Sequence, residues 1–307
     1  MKIGDTCSEW ETIKRGVPQG SVLGPMFFNI FINDLFFNVK CAKLHAYADD
    51  EQIYDSDKDP LELDKRIQNQ VSAANLWFDN NGMIANATKH QAMILGQTDH
   101  QFSFPTKDSL DLLGMTIDKE LRFNDHITTI CKKINNQFNV MMRFNNLISK
   151  EIMMKLYKAC ILPHFHYCST VWHFCGSRNT DKLEALNKRI LRYILKDKTS
   201  DYKKLLEKSG TVSLYNKRLQ NMLLVVYKSL HFNDYPRYLK DLFTLRSVTY
   251  SLRGTDILAL PKPLTTTYGL HSVRYLASRT WNSLPDTYRL DTSPNEFKNK
   301  IRKLNFN

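Results

Sequence analysis

No stretch of this 307-residue sequence reaches eighteen consecutive apolar residues, so no transmembrane helix is expected. Its start, MKIGDTCSEW, lacks both the apolar core of a secretory signal and the Arg-rich amphipathic pattern of a transit peptide. The six Cys are scattered and form no CxxC pair, which argues for free thiols in a reducing compartment. An intracellular protein of the cytoplasm and nucleus is expected, with no membrane partner. Internal repeats and low-complexity tracts are also lacking, which excludes solenoids and long disordered linkers. Acidic side chains are sparse in one part only. Residues 1–118 hold 10 Lys and Arg against 17 Asp and Glu, whereas 119–307 hold 33 against 14. A basic body suggests a polyanion such as nucleic acid, and an acidic cluster beside a polyanion calls for metal ions; the plainer reading is charge for solubility.

What is present reads as alternating helix and strand up to about residue 118, then mostly helix. A short hairpin with its turn near Gly4-Asp5 opens the chain. GVPQGSVLGP is dense Gly/Pro punctuation ahead of MFFNIFINDLFF, where Leu23, Phe27, Phe31 and Leu35 recur every four residues as in a buried helix. KLHAYADDEQIY (43–54) predicts strand, two-residue turn, strand. The next helix has Asp59 as cap, Pro60 in first position and Gly82 as stop. MIAN, QAMILG and LDLLGMTID predict three further strands. Beyond 118, Ile127, Ile130, Ile134, Phe138 and Met141 mark one helix; Met153, Leu156, Tyr157, Cys160 and Ile161 mark another. A third spans NTDKLEALNKRILRYILKDK, with Leu183, Leu186, Ile190, Leu191 and Ile194 on one side and basic residues on the others. The last opens at SPNE, a capping box built on Ser293 and Glu296.

The pair Asp49-Asp50 is the unusual feature. Adjacent strand residues face opposite ways, so two neighbouring carboxylates converge only at a hairpin tip. There they could present oxygens to Mg²⁺, which favours one or two carboxylates plus substrate phosphates. Taken alone, the dipeptide fits equally an Asp-rich turn that merely closes a hairpin.

Four motifs in order, GVPQGSVLGP, YADD, WFDNNGMIANATKH and LDLLGMTID, closely resemble the reverse-transcriptase palm of jockey-like non-LTR (LINE-type) retrotransposons. ILPHFHYCSTVW and SVRYLASRTWNSLP with SPNEFKNKIRKL resemble that family's carboxy-terminal region. The resemblance implies an α+β fold: a partial polymerase palm with a small antiparallel sheet over 1–118, a helical thumb-like region over 119–199 and a carboxy-terminal helical region over 200–307. It implies RNA-directed DNA polymerisation with two Mg²⁺ ions, an RNA template, a DNA primer and deoxynucleoside triphosphates. By the same resemblance, Asp49 and Asp50 bind metal, Tyr47 and Ala48 shape the hairpin near the primer end, and Gln19 and Gly20 lie near nucleotide and template. Ser21 can cap the following helix. Lys89 matches a lysine near the nucleotide phosphates, and Leu113 and Gly114 match the strand that grips the primer. Each has a plainer reading: backbone satisfaction for Gln19, a solvated side chain for Lys89, relief of packing for Gly114.

The family's site uses a further Asp upstream of the Gly-Pro-Gln-Gly loop. Only Asp5 precedes that loop here, so an amino-terminally truncated polymerase, inactive alone, is expected; the rival is a non-catalytic nucleic-acid-binding remnant. Cys160, His164, His166, Cys168, His173 and Cys175 crowd into sixteen residues, but their spacing fits no usual finger and zinc is not expected. Arg178, Lys188, Arg189 and Arg192 are the candidates for contact with nucleic-acid phosphates, against the alternative of a solvated helix face.

Overall fold

The computed structural model of the chain describes all residues except 1, 10–11, 13–15, 19, 145–146, 247–256, 290–292, 305 and 307. The fold is mixed, with helices and small antiparallel two-stranded sheets. It divides into two compact units, Met1–Asp108 and Ser109–Asn307.

In the first unit, β1 (Lys2–Ile3) and β2 (Thr6–Cys7) pair across the turn at Gly4-Asp5. Helix α1 (Gly24–Ile32) follows, its first amide donating to Ser21 Oγ at 3.1 Å, while Leu23 and not Ser21 occupies the N-cap position. A short α2 (Leu35–Asn38) leads to the hairpin of β3 (Lys43–Tyr47) and β4 (Asp50–Tyr54). Helix α3 (Pro60–Asn80) starts as its sequence dictates: the Asp59 carboxylate accepts from Leu61 N at 2.9 Å, and Pro60 needs no amide partner at the first position. Gln70 on α3 accepts from the amides of Lys40 (2.8 Å) and Cys41 (3.2 Å), which fixes the chain's approach to β3. Arg66 on α3 pairs with Asp55 at 2.8 Å and Asp57 at 2.7 Å and fixes its exit from β4. The core is Ile32, Leu35, Val39, Ala74 and Trp77, with Leu44 and Ile53 of the hairpin packed on it.

Two expectations for this unit fail. The helix through MFFNIFINDLFF is not buried: Ile32 and Leu35 are, but Leu23, Phe27 and Phe31 are exposed, as are Met26 and Ile30. One face of α1 finds the core, and nothing among the described residues covers the other. MIAN and QAMILG form no strands, for a strand exists only against a partner edge, and the described ladder bonds of this unit are taken up in its two hairpins.

The second unit opens on β5 (Ser109–Leu112) and β6 (Met115–Asp118), where LDLLGMTID makes a hairpin and not one strand. Asp118 then accepts from the amides of Arg122 and Phe123, turning the chain into α4 (Asn124–Arg143). Helix α5 (Lys150–Leu156) passes through a wide turn at Tyr157–Ile161 into α6 (Leu162–His166). The widening accommodates Pro163, which has no amide to give the preceding turn. Next come α7 (Ser177–Leu195), α8 (Tyr202–Ser209), α9 (Leu214–His231), α10 (Arg237–Lys240), α11 (Val273–Asn282), α12 (Asp286–Arg289) and α13 (Pro294–Arg302). The capping box at Ser293 and Glu296 forms as expected.

This unit has two cores. Ile127, Ile134, Tyr157, Ile161, Phe165, Leu183, Ile190, Leu205 and Leu214 belong to the first; Leu223, Val226, Ala277, Trp281, Phe297 and Ile301 belong to the second. The change comes along α9, between Leu214 and Leu219, later than the sequence division at 199/200, because Leu205 of α8 packs into the first core. A buried polar chain braces the first core. Tyr157 donates to Asn187 (2.6 Å), Asn187 to Tyr202 (2.7 Å) and Tyr202 to Glu184 (2.6 Å). Glu184 in turn accepts from the amides of Leu214 and Tyr215 at the positive end of α9.

Candidate active site and nucleic-acid interface

The register of the acidic hairpin pairs Lys43 with Tyr54, Leu44 with Ile53, Ala46 with Glu51 and Tyr47 with Asp50. The two turn residues are therefore Ala48 and Asp49, and Asp50 begins the return strand, so the turn lies one position earlier than a tip made by the Asp49-Asp50 pair. Ala48 carries φ +54°, a left-handed conformation that costs an L-residue about 1–2 kcal/mol. This conformation turns the chain within two residues. Asp49 and Asp50 both emerge exposed, and neither forms an ion pair among the described residues. Tyr47 stands exposed beside them.

Sequence reading overlooked Glu51, the next carboxylate in YADDEQ. It is half-buried. Burial raises its pKa above the usual carboxylate range, and the negative charges of Asp49 and Asp50 add to the rise. Glu51 thus feels both neighbouring carboxylates at one hairpin end. The signal was in the sequence, as a third consecutive acidic residue, but a strand alternation assigns Glu51 to the opposite face from Asp50.

The other residues of the expected nucleotide site are spread along the first unit. Gly20 has φ +83° with open space where a Cβ would stand, so the turn ahead of α1 needs glycine for its backbone and leaves its surface free. Gln19 lies outside the described residues. Lys89 ends a single helical turn, Ala87–Lys89, that Asn86 nucleates by accepting from Thr88 N and Thr88 Oγ1; its ammonium is exposed.

Leu113 and Gly114, expected on a strand, are the two-residue turn of the β5–β6 hairpin. Both have positive φ, +48° and +77°, which matches the right-handed twist of the strands they join. The Leu113 carbonyl accepts from the Tyr167 hydroxyl at 2.6 Å, so this tip is anchored to the segment after α6.

On α7, Leu183, Leu186, Ile190, Leu191 and Ile194 are buried as expected, with Asn187 among them. Arg178, Lys182, Arg189 and Arg192 recur at i, i+4, i+11 and i+14 along the opposite face, with Lys188 at its edge. Arg178 is exposed. Arg189 bonds to Asn135 of α4 and lies 5.6 Å from the Phe138 ring centroid. Arg192 donates to the Ser200 carbonyl at 3.4 Å.

The crowded His and Cys residues do separate work. No group of three His, Cys, Asp or Glu among the described residues is placed to hold a metal. His164 bonds to Gln137 at 2.8 Å, and Cys160 is exposed while Cys175 is buried. His173 accepts at Nδ1 from Arg218 Nε at 3.2 Å; burial, with the Arg218 charge, pushes its pKa down to about 3.

In class, residues 2–117 match the model of the reverse-transcriptase (RNA-dependent DNA polymerase) family. More particularly, the chain is similar to the RNA-directed DNA polymerase from mobile element jockey of Drosophila melanogaster, 24% identical over 205 residues covering 61% of this chain and 22% of that protein. The jockey polymerase of Drosophila funebris is 27% identical over 209 residues, 62% of this chain and 23% of the relative. The probable RNA-directed DNA polymerase from transposon BS of Drosophila melanogaster is 23% identical over 214 residues, 63% and 24% of the two chains. These matches are longer than residues 2–117, so the likeness runs beyond the stretch that matches the family model. The chain spans less than a quarter of the length of these curated relatives. No solved structure matches it.

Proposed function

We propose that the chain is part of an RNA-directed DNA polymerase that copies retrotransposon RNA by nucleotidyl transfer to a primer 3′-hydroxyl. The observation that carries this reading is the exposed carboxylate pair Asp49 and Asp50 at a strained hairpin tip, inside the matched reverse-transcriptase span.

The donor set fits Mg²⁺ of one kind. Two tip carboxylates, with Glu51 destabilised by their charge, suit a site completed by phosphate oxygens and not an all-protein cage. Asp49 and Asp50 would hold the ions. Bound there, Mg²⁺ supplies Lewis-acid activation of the primer hydroxyl and of the nucleotide's α-phosphate. In the transfer, the 3′-hydroxyl releases its proton to solvent as its oxygen bonds to the α-phosphorus and the bond to the leaving pyrophosphate breaks. Lys89 offsets charge on the triphosphate, and Gly20 leaves room for close backbone approach.

Two carboxylates are too few to hold a pair of divalent ions without further ligands. The chain alone is therefore expected to show no primer extension with Mg²⁺ or Mn²⁺. The test supplies in trans the upstream palm segment that the family resemblance expects. Template-dependent extension that Asp49→Ala abolishes supports the reading; extension that survives Asp49→Ala sinks it. A second reading, a non-catalytic nucleic-acid-binding remnant, is supported by the basic face of α7 standing opposite its buried one. It is favoured where the chain binds RNA but gives no extension in the complemented assay.

A further inference from the structure

Helices α9 and α13 pack antiparallel. The Tyr227 and Phe297 rings stack with centroids 4.4 Å apart, Gln220 Nε2 donates to the Ile301 carbonyl at 3.2 Å, and Asn216 Oδ1 accepts from Phe306 N at 3.2 Å. Phe297 and Ile301 are fully buried in this seam, which sets the residues that follow them, Lys298 and Arg302, along its rim. Lys217 sits beside Asn216 and one turn before Gln220, half-buried on α9. Three cations from two helices thus share one seam, and none makes an ion pair among the described residues.

Among the described residues, their neighbours supply no negative charge. His166 of α6 is held neutral near pH 7: burial first, then Lys217 and the buried Arg218, push its pKa down to about 4. Lys217 is lowered as well, by burial and by repulsion from Arg302 and Lys298. On α13, the Glu296 carboxylate is occupied at the helix start, where it accepts from Ser293 N, and Lys300 donates to the Thr287 carbonyl. A fold gains nothing from crowding cations around a half-buried lysine, and features that break local rules without internal compensation mark function.

We propose that Lys217, Lys298 and Arg302 form a phosphate-binding site on the α9–α13 seam, and that it takes a backbone phosphate of a nucleic acid. An oxyanion removes the repulsion among the three groups and accepts charge-assisted hydrogen bonds from each. The identity of the phosphate's carrier rests on the nucleic-acid reading given above; the presence of an anion site does not.

The test uses the 307-residue chain and a fluorescently labelled single-stranded RNA, with binding followed across a salt series. Charge reversal at the rim, Lys298→Glu with Arg302→Glu, weakens binding and lowers the slope of log K against log salt by ~0.7 for each phosphate no longer neutralised. Lys217→Gln also weakens binding, while the melting temperature in phosphate-free buffer stays level or rises because a repulsion has gone. A melting temperature lowered by Lys217→Gln overturns the proposal, since the lysine would then be serving the packing. So does unchanged affinity and salt slope in the folded double variant. If the unaltered chain binds no RNA, the nucleic-acid reading itself falls. In that case a melting-temperature rise with inorganic phosphate, present in the unaltered chain and absent in the double variant, supports the anion site, and no rise overturns it.

Discussion

Tyr47 and Asp50 face each other as the closing pair of the acidic hairpin, and between them only Ala48 and Asp49 make the turn. The left-handed backbone therefore falls on an alanine, φ +54°, where glycine would be unstrained. Ala48→Gly is expected to stabilise the chain by up to ~1 kcal/mol, the relief of strain being partly offset by the flexibility glycine gives the unfolded chain. Ala48→Val is expected to destabilise by ~1 kcal/mol or more, since a β-branched side chain tolerates positive φ worst. Urea unfolding midpoints of the two variants check this; equal midpoints would mean the turn stores no strain.

Glu51 reports on the charge of its neighbours. Its pKa is raised by burial first and then by Asp49 and Asp50. Asp49→Asn with Asp50→Asn should lower it, yet leave it above the ordinary carboxylate value because the burial persists. The sign for stability follows. A carboxyl that holds its proton more tightly in the folded state favours folding most at low pH, and that contribution fades as pH rises through the folded value. The double variant should lose less stability over that window. Carboxyl carbon titration by NMR reads the shift directly, and Mg²⁺ added to the unaltered chain should move Glu51 in the same downward direction.

Much of this was legible wherever a local rule and the packing agreed. Helices α4 and α7 each have one core to face, so their apolar periodicity named the buried residues. The start of α3 at Asp59-Pro60 and the capping box of α13 were readable because a cap is decided by a few adjacent residues. The β5–β6 hairpin was hidden because leucine is a poor signal for positive φ and the apolar alternation runs on through Leu113. Phe123, buried and left-handed ahead of α4, was unreadable for the same reason. MIAN and QAMILG failed for lack of a partner edge, a property no local pattern contains. At the site, the carboxylate pair was visible, but which two residues make the turn was decided by register.

Arg218 is wholly buried without an ion pair among the described residues. Its guanidinium lies 5.2 Å from the Trp172 ring centroid and 5.7 Å from that of Tyr215, and it donates to His173, while Nη1 finds no partner. A buried charge with one donor unsatisfied does not stabilise as an apolar side chain of equal volume would. Arg218→Met is expected to be neutral or mildly stabilising, within ~1 kcal/mol, and Arg218→Ala to cost ~2–4 kcal/mol through the cavity it leaves. His173 gives an independent readout. Its depressed pKa means stability is full above its unfolded value, ~6.5, and declines as pH falls from there toward about 3. With methionine at 218 the decline should be shallower, because one of its two causes is gone. Thermal unfolding at a series of pH values measures both effects.

The four basic residues singled out on α7 divide by what they touch. Arg189 is engaged with Asn135 and Phe138, and Arg192 with the Ser200 carbonyl, so part of each side chain already serves the fold. Arg178 and Lys188 carry no such bond among the described residues. If this face tracks phosphates, Arg178→Glu and Lys188→Glu should each weaken RNA binding, lower the salt slope by ~0.7 per phosphate and leave the melting temperature unchanged. Arg189→Ala should weaken binding and also destabilise, by the ~0.5–1 kcal/mol typical of an exposed cation–π pair together with the loss of its Asn135 bond. A solvated face with no ligand predicts a different pattern: Arg189→Ala costs stability and none of the substitutions changes affinity. Measuring affinity at two salt concentrations beside the melting temperature for the same three variants decides between the two.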